Sequence, residues 1–223
     1  MTRKRAITAR EQSIDCVEPY INPTGDESKK IALLDLTRLY DADPWRFYHN
    51  GVHLKEMTDF LLENIDLVND PEIVFGAALG HDSVYEPWLY RGGLNEKLSE
   101  NRTETILSPH YDARKIGKMC MYIAATAKHP TNTTDSDLAL FLDADMRILA
   151  AEPERFEEYE DGIRSEFTYK GTFSSAQFKK GRYQFLSGMK DQRIFRTELA
   201  QDLYEERAHQ NIAMMALKYG QES

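Results

Sequence analysis

Cysteine is scarce in this sequence: Cys16 and Cys120 are its two, far apart and without a CxxC partner. That excludes a disulfide framework and a thiolate zinc site, and it suits a reducing compartment. No apolar run approaches the ~18 residues of a membrane span. The basic start at residues 1–5 leads into no apolar stretch, so no secretory signal is expected. Positive charge is in deficit, with a formal net charge of −9. An acidic chain is a poor match for extended nucleic acid, although a bound metal supplies local positive charge to a small anion. No stretch sustains the period-two alternation of a half-buried strand, and no internal repeat or low-complexity segment occurs. The expectation is an all-α, cytoplasmic protein that neither spans a membrane nor holds extended nucleic acid.

What is present is a series of helical stripes. Residues 31–40 carry Leu33, Leu34, Leu36 and Leu39, and Asp43 with Pro44 reads as a helix start. Residues 49–68 repeat Leu54, Met57, Leu61, Ile65 and Val68 at three and four, the spacing of an amphipathic helix. Residues 73–79 are apolar on nearly all sides and include Gly76, Ala77 and Ala78, which predicts a central, tightly packed helix. Further helices are expected over 95–107, 112–128 (burying Cys120), 137–150, 153–169, 174–187 and 195–219, the last with a core stripe of Leu199, Leu203, Ala208, Ile212 and Met215. The sum is a single all-α bundle of about eight or nine helices over residues 29–223. A polar, loosely held lead-in, residues 1–28, precedes it.

Three short motifs lie on or beside these helices. Gly80-His81-Asp82 ends the apolar run, Tyr48-His49-Asn50-Gly51-Val52-His53 precedes it, and Leu142-Asp143-Ala144-Asp145 follows. Imidazole nitrogen and carboxylate oxygen are both metal ligands when deprotonated. His49 and His53 are four apart, so on one helix they share a face. An isolated His-Asp pair most simply caps a helix; three such motifs on successive helices favour a shared site. With His53, His81, Asp82 and Asp145 as ligands, the set accepts Mn, Fe, Co, Ni, Zn or Mg and leaves positions for water. Such an ion acidifies water and offsets charge on an anionic oxygen. The matching reaction is hydrolysis of a phosphate ester or anhydride in a small phosphorylated molecule, such as a nucleotide. His49 is then a general acid or a phosphate ligand. Lys128, Arg147, Arg164, Lys180 and Arg182 are further cations that sequence alone does not place.

His…His-Asp…Asp in this order resembles the HD superfamily of metal-dependent phosphohydrolases. The Tyr48-His49-Asn50-x-x-His53 segment looks like its counterpart in cyclic-nucleotide phosphodiesterases. That likeness implies that His53 binds metal and His49 donates a proton. A closer resemblance is to a subgroup with His-Asp-x-x-Tyr (His81 to Tyr85), Asn95-Glu96-x-x-Ser99, Ala125-Thr126-x-x-His129 and Leu-Asp-Ala-Asp, covering residues 31–200. Alignment on the last motif implies Asp145 rather than Asp143 as the fourth ligand. Glu96, His129 and Asp143 become candidates for substrate contact or for support of the ligands. Glu96 reads equally well as a helix N-terminal charge, and His129, before Pro130, as a helix end. Leu94 stands where the subgroup has aspartate, and the extra histidines of two-metal members are missing, so one metal is expected. The same resemblance admits a di-iron oxygenase, if two of His110, His129, Glu96 and Asp143 converge on the site. It also admits a non-catalytic module that binds metal or nucleotide.

Overall fold

Capping side chains start most of the helices. The structure, a computed structural model, describes residues 7–89 and 91–221; the basic start and Tyr90 lie outside them. Among the described residues there are eleven α-helical segments, ten of them of ten residues or longer, and no strand. The all-α expectation holds, with one long helix more than the nine read from the stripes.

The additional helix is α1 (Ala9–Ile21), in the stretch expected to be loosely held. Thr8 Oγ1 accepts from the Glu11 amide at 3.2 Å, and the Glu11 carboxylate accepts from the Thr8 amide at 3.0 Å. This reciprocal cap fixes the first turn, and Ile14, Val17 and Ile21 are fully buried. A stripe of three apolar residues among polar neighbours was too thin to mark the helix in the sequence.

Helix α2 (Glu27–Thr37) starts at Asp26, whose carboxylate accepts from the Ser28 amide at 2.8 Å, and turns Leu33 and Leu36 inward. A single turn, α3 (Leu39–Ala42), follows. The helix expected from Pro44 does not form. Asp43 instead holds Arg46 Nε at 3.1 Å, and the chain loops to Asn50. Helix α4 (Gly51–Glu63) starts at Asn50, which accepts from the Val52 amide at 2.8 Å, so His49 lies before the helix rather than on it. Helix α5 (Pro71–Gly80) is buried from Ile73 to Gly80, as its uniformly apolar sequence requires.

Helices α6 (Leu94–Leu107), α7 (Ala113–Thr126), α8 (Ser136–Met146), α9 (Pro153–Thr168), α10 (Ser175–Met189) and α11 (Glu198–Gln221) complete the chain. Cys120 is half-buried, and Leu203 on α11 is 61% exposed. The α11 face that packs runs through Ala200, Ala208, Ile212, Met215 and Tyr219 instead. None of the described helices is long and apolar enough to cross a membrane.

Two apolar clusters organise these elements. The first joins α1, α2, α4, α5 and α7 with Leu138, Phe141 and Leu142 of α8. The second joins α9, α10 and α11 with Tyr48, Leu149 and Ala150. Helix α8 and the 3-10 turn after it (Arg147–Ala150) therefore pass from one core into the other. Asp145 stands at that seam.

Close approach in the first core needs glycine. A Cβ on Gly80 would lie 2.3 Å from Thr103 Oγ1, on a β-branched side chain that is itself fully buried. Gly80→Ala is expected to destabilise the fold by about 1–3 kcal/mol through overpacking. Urea unfolding measures this, and an unchanged midpoint contradicts it.

Candidate metal centre

His53 sits in the first turn of α4, His81 caps the C-terminus of α5 with Asp82 next, and Asp145 is the penultimate residue of α8. The four side chains converge. His53 Nε2 lies 3.2 Å from His81 Nε2 and 3.3 Å from Asp145 Oδ1. Asp82 Oδ2 is 3.1 Å from His81 Nε2 and 3.9 Å from His53 Nε2, and His81 Nε2 is 3.8 Å from Asp145 Oδ1. Two donors bound about 2.1 Å from one ion stand about 3.0–3.4 Å apart at octahedral or tetrahedral angles. The spacing is thus close to that of a shared cation, and His53, His81 and Asp82 form a compact group of the kind that holds one.

The outer atoms of the ligands are already committed. His81 Nδ1 is 2.8 Å from the Ala78 carbonyl, which only accepts, so Nδ1 carries a proton and Nε2 is the coordinating atom. His53 Nδ1 is 3.0 Å from the Tyr48 hydroxyl, which holds its ring in the same sense. The Tyr40 hydroxyl accepts from the Asp82 amide at 3.0 Å and fixes the turn after α5.

Electrostatics favour a cation. Burial opposes charge on His81, yet Asp82 and Asp145 outweigh it and raise the imidazole to about 9. Burial also opposes ionisation of Asp82, but His81, His49 and His53 more than offset it, and its carboxyl is lowered. Asp145 is held well below the usual carboxylate range: burial resists, while His129, His53 and His81 prevail. Two ionised carboxylates so close together need positive charge between them.

His49 is held from behind. Glu166 on α9, fully buried, accepts from the amides of Tyr48 and His49 at 2.7 and 2.8 Å, and its second oxygen is 2.7 Å from His49 Nδ1. Burial lowers the His49 pKa, but Glu166 and Asp82 raise it further, so the net shift is upward. The ring stacks on Tyr85 at 3.9 Å, leaving Nε2 as the nitrogen free to exchange a proton.

The remaining expected residues divide. His129 joins the site: its Nε2 is 2.8 Å from Asp145 Oδ2, and its backbone is left-handed (φ 43°) where the chain leaves α7. Glu96 is in the same cavity, and burial raises its carboxyl. Asp143 does not join. It is fully buried and accepts from the Arg196 amide at 2.7 Å and from the Thr197 amide and hydroxyl at 2.8 Å each, which ties α8 to the start of α11. Each residue on a helix turns the side chain by about 100°, so the two-residue offset sets Asp143 and Asp145 about 200° apart, on opposite faces.

Two supports were not legible in the sequence. Glu166 looked like one more acid on a charged helix, and its partners lie more than a hundred residues away. Glu160, on the same helix, is buried against Arg182 at 2.6 Å. Arg46 is the other. Its Nη1 donates to the carbonyls of His49 at 3.0 Å and Asp82 at 2.7 Å, joining the two loops that carry site residues.

A cavity of about 420 Å³ opens onto His49, Tyr85, Glu96, His129 and Asp145, with Lys128 and Arg182 among its lining. A smaller one of about 270 Å³ reaches His53 and Asp145 from the side of Arg147 and Arg155. Arg164 pairs with Asp161 on the surface, and Lys180 is exposed. Compared with known proteins, the chain matches no family model, and neither the curated proteins nor the solved structures give a match.

The two aspartates of α8 are predicted to separate cleanly. Asp143→Ala should cost about 2–4 kcal/mol of stability, since it removes a buried carboxylate and orphans three partly buried donors, while metal stoichiometry stays intact. Asp145→Ala should weaken metal binding with a smaller effect on unfolding. Elemental analysis and thermal melts of both variants decide; the opposite pairing would show the ligand assignment to be wrong.

Protonation adds a second expectation. With its pKa raised from 6.5 to about 9, His81 contributes stability to the metal-free protein that is complete below pH 6.5 and lost as pH rises through about 9. Lowered carboxyls act in the other direction, contributing above their ordinary range and losing that contribution in acid. A metal competes with the His81 proton, so affinity should climb between about pH 6 and pH 9. Titration calorimetry with Mn²⁺ at pH 7 in two buffers of different ionisation enthalpy should record about one proton released per ion. Equal heats in both buffers rule this out.

Proposed function

We propose that this protein is a metal-dependent hydrolase of a phosphate ester or anhydride in a small phosphorylated molecule, working in the cytoplasm on the plan of the HD superfamily. The observation that carries the reading is the convergence of His53, His81, Asp82 and Asp145, with Asp145 and the nearby His49 lining one open cavity. When bound, a divalent ion supplies Lewis acidity toward a phosphoryl oxygen and acidifies water. The chain's own residues do the rest. Glu166 orients His49 and favours its protonated form, so that its Nε2 can give a proton to the departing oxygen. Tyr40 and Tyr48 shield the ligand nitrogens and keep bulk water from their outer edges. Asp145 is shared between the ligand set and His129, which steadies the carboxylate.

The alternative of a di-iron oxygenase calls for about two further ligands. His129 is near enough through Asp145, but Asp143 is spent on α11, and His110 lies at the far end of α6 beside Asp26. Of the four candidates only His129 and Glu96 remain, and the His129 Nε2 is already engaged by Asp145 Oδ2, which favours one metal and hydrolysis.

His49→Ala is expected to lower turnover of phosphate esters about 100-fold or more while keeping its metal and its melting temperature. His81→Ala should lose both metal and turnover. Metal per chain by elemental analysis, paired with a phosphatase and nucleotidase screen in Mn²⁺, measures both. Full turnover in the His81→Ala and Asp82→Ala variants would sink the proposal. Two irons per chain with oxygen consumption would replace it with the oxygenase, and tight nucleotide binding without turnover with a binding module.

A further inference from the structure

The larger cavity is lopsided. On one side stand His49, Glu96, His129 and Asp145, and the wall supplied by α9 and α10 presents Ile163, Phe167, Phe185 and Met189. A second cavity of about 420 Å³ adjoins it and shares Ile163, Phe167, Arg182 and Phe185 with it. Phe173 and Phe178 continue that lining. Phe185 is 48% exposed at the mouth of both spaces, and the Arg182 guanidinium lies 4.9 Å from its ring. Together the two spaces are of a size that takes a drug-sized organic molecule.

Charge in the cavity is nearly all spent. Arg182 is clasped by both oxygens of Glu160. Arg196 donates to the carbonyls of His129 at 2.6 Å and Pro130 at 3.1 Å, and Arg193 donates to the Thr131 carbonyl and to Asn132. Among the described lining residues, the Lys128 ammonium is the one cationic head with no acceptor. Glu96 faces the same space with the opposite charge. One phosphoryl group at the ligand set can therefore be matched, whereas a di- or triphosphate tail would lie against a carboxylate and an apolar wall.

Resting on the hydrolase reading above, we infer that the substrate is a phosphate monoester whose alcohol carries a flat, largely apolar ring. The ring lies between Phe167 and Phe185 against Ile163, and the single phosphoryl group faces His49 and Asp145. Aromatic stacking adds to simple burial in such a slot. A nucleoside monophosphate and a simple aryl phosphate share this chemistry, and the experiment separates them.

The test compares phenylphosphonate with methylphosphonate, neither of which the proposed reaction hydrolyses, by titration calorimetry on Mn²⁺-loaded protein. Phenylphosphonate is expected to bind about tenfold more tightly. Phe185→Ala, a change at an exposed position that the fold should tolerate, is expected to erase most of that difference and leave methylphosphonate unaffected. In parallel, initial rates are measured on phenyl phosphate, adenosine 5′-monophosphate, glycerol phosphate and inorganic pyrophosphate. Preference for either ring-bearing ester over the other two supports the inference, and the better of the two identifies the source. Equal phosphonate affinities, or pyrophosphate as the best substrate, would overturn the substrate class while leaving hydrolysis intact. No phosphonate binding and no turnover of any ester would remove the hydrolase reading, and the substrate class with it.

Discussion

Two ionised carboxylates, Asp82 and Asp145, stand partly buried within reach of the same pair of imidazoles, and much of the molecule is arranged around that concentration of charge. Without an ion, the carboxylates hold a proton on His81 well beyond the ordinary range of histidine. With one, the same carboxylates become ligands. The surrounding bonds serve both states. The Ala78 carbonyl and the Tyr48 hydroxyl take up the outer nitrogens, so the inner ones have nowhere to turn but toward the site. A ligand set held this firmly loses little freedom when an ion enters, which is where preorganised sites gain their affinity.

Around this centre runs a frame of buried ionic contacts that bridge distant parts of the chain. Arg46 fastens the loop before α4 to the turn after α5, Glu166 fastens the same loop to α9, and Asp143 fastens α8 to the start of α11. Each is a charged group satisfied chiefly by backbone partners. Their role is geometric: a backbone amide or carbonyl cannot swing away as a side chain can. Arg46 still has a second terminal nitrogen, Nη2, buried with no acceptor among the described residues. Its position is set by the contacts it does make rather than by complete satisfaction.

The fold class and the residues that come together at the candidate site were legible because both depend on local pattern. The stripe on α4 and the uniformly apolar α5 follow from which faces must be dry, and His53, His81, Asp82 and Asp145 lie at ends of helices that such patterns delimit. What escaped reading depends on contacts between remote segments. Glu166 has nothing in its own neighbourhood to distinguish it from Glu157 or Glu158. Helix α1 hid behind a polar sequence, and the loop from Asp43 to Asn50 carried a Pro-based helix signal that Arg46 overrules by pairing with Asp43. Asp143 and Asp145 illustrate both sides. Their spacing requires them to face apart, but only tertiary packing says which faces the histidines.

The seam crossed by α8 has a consequence for how such a protein can change over generations. Three of the four ligands belong to helices of the first core, while the wall opposite His49 and Asp145 is built from α9 and α10 of the second. Substitutions on α9 and α10 can remould what enters the cavity without disturbing His53, His81 or Asp82. Of the two, α9 is the more constrained, because Glu166 on it also holds His49. A lineage built this way can drift from one substrate to another while its reactive centre stays under purifying selection.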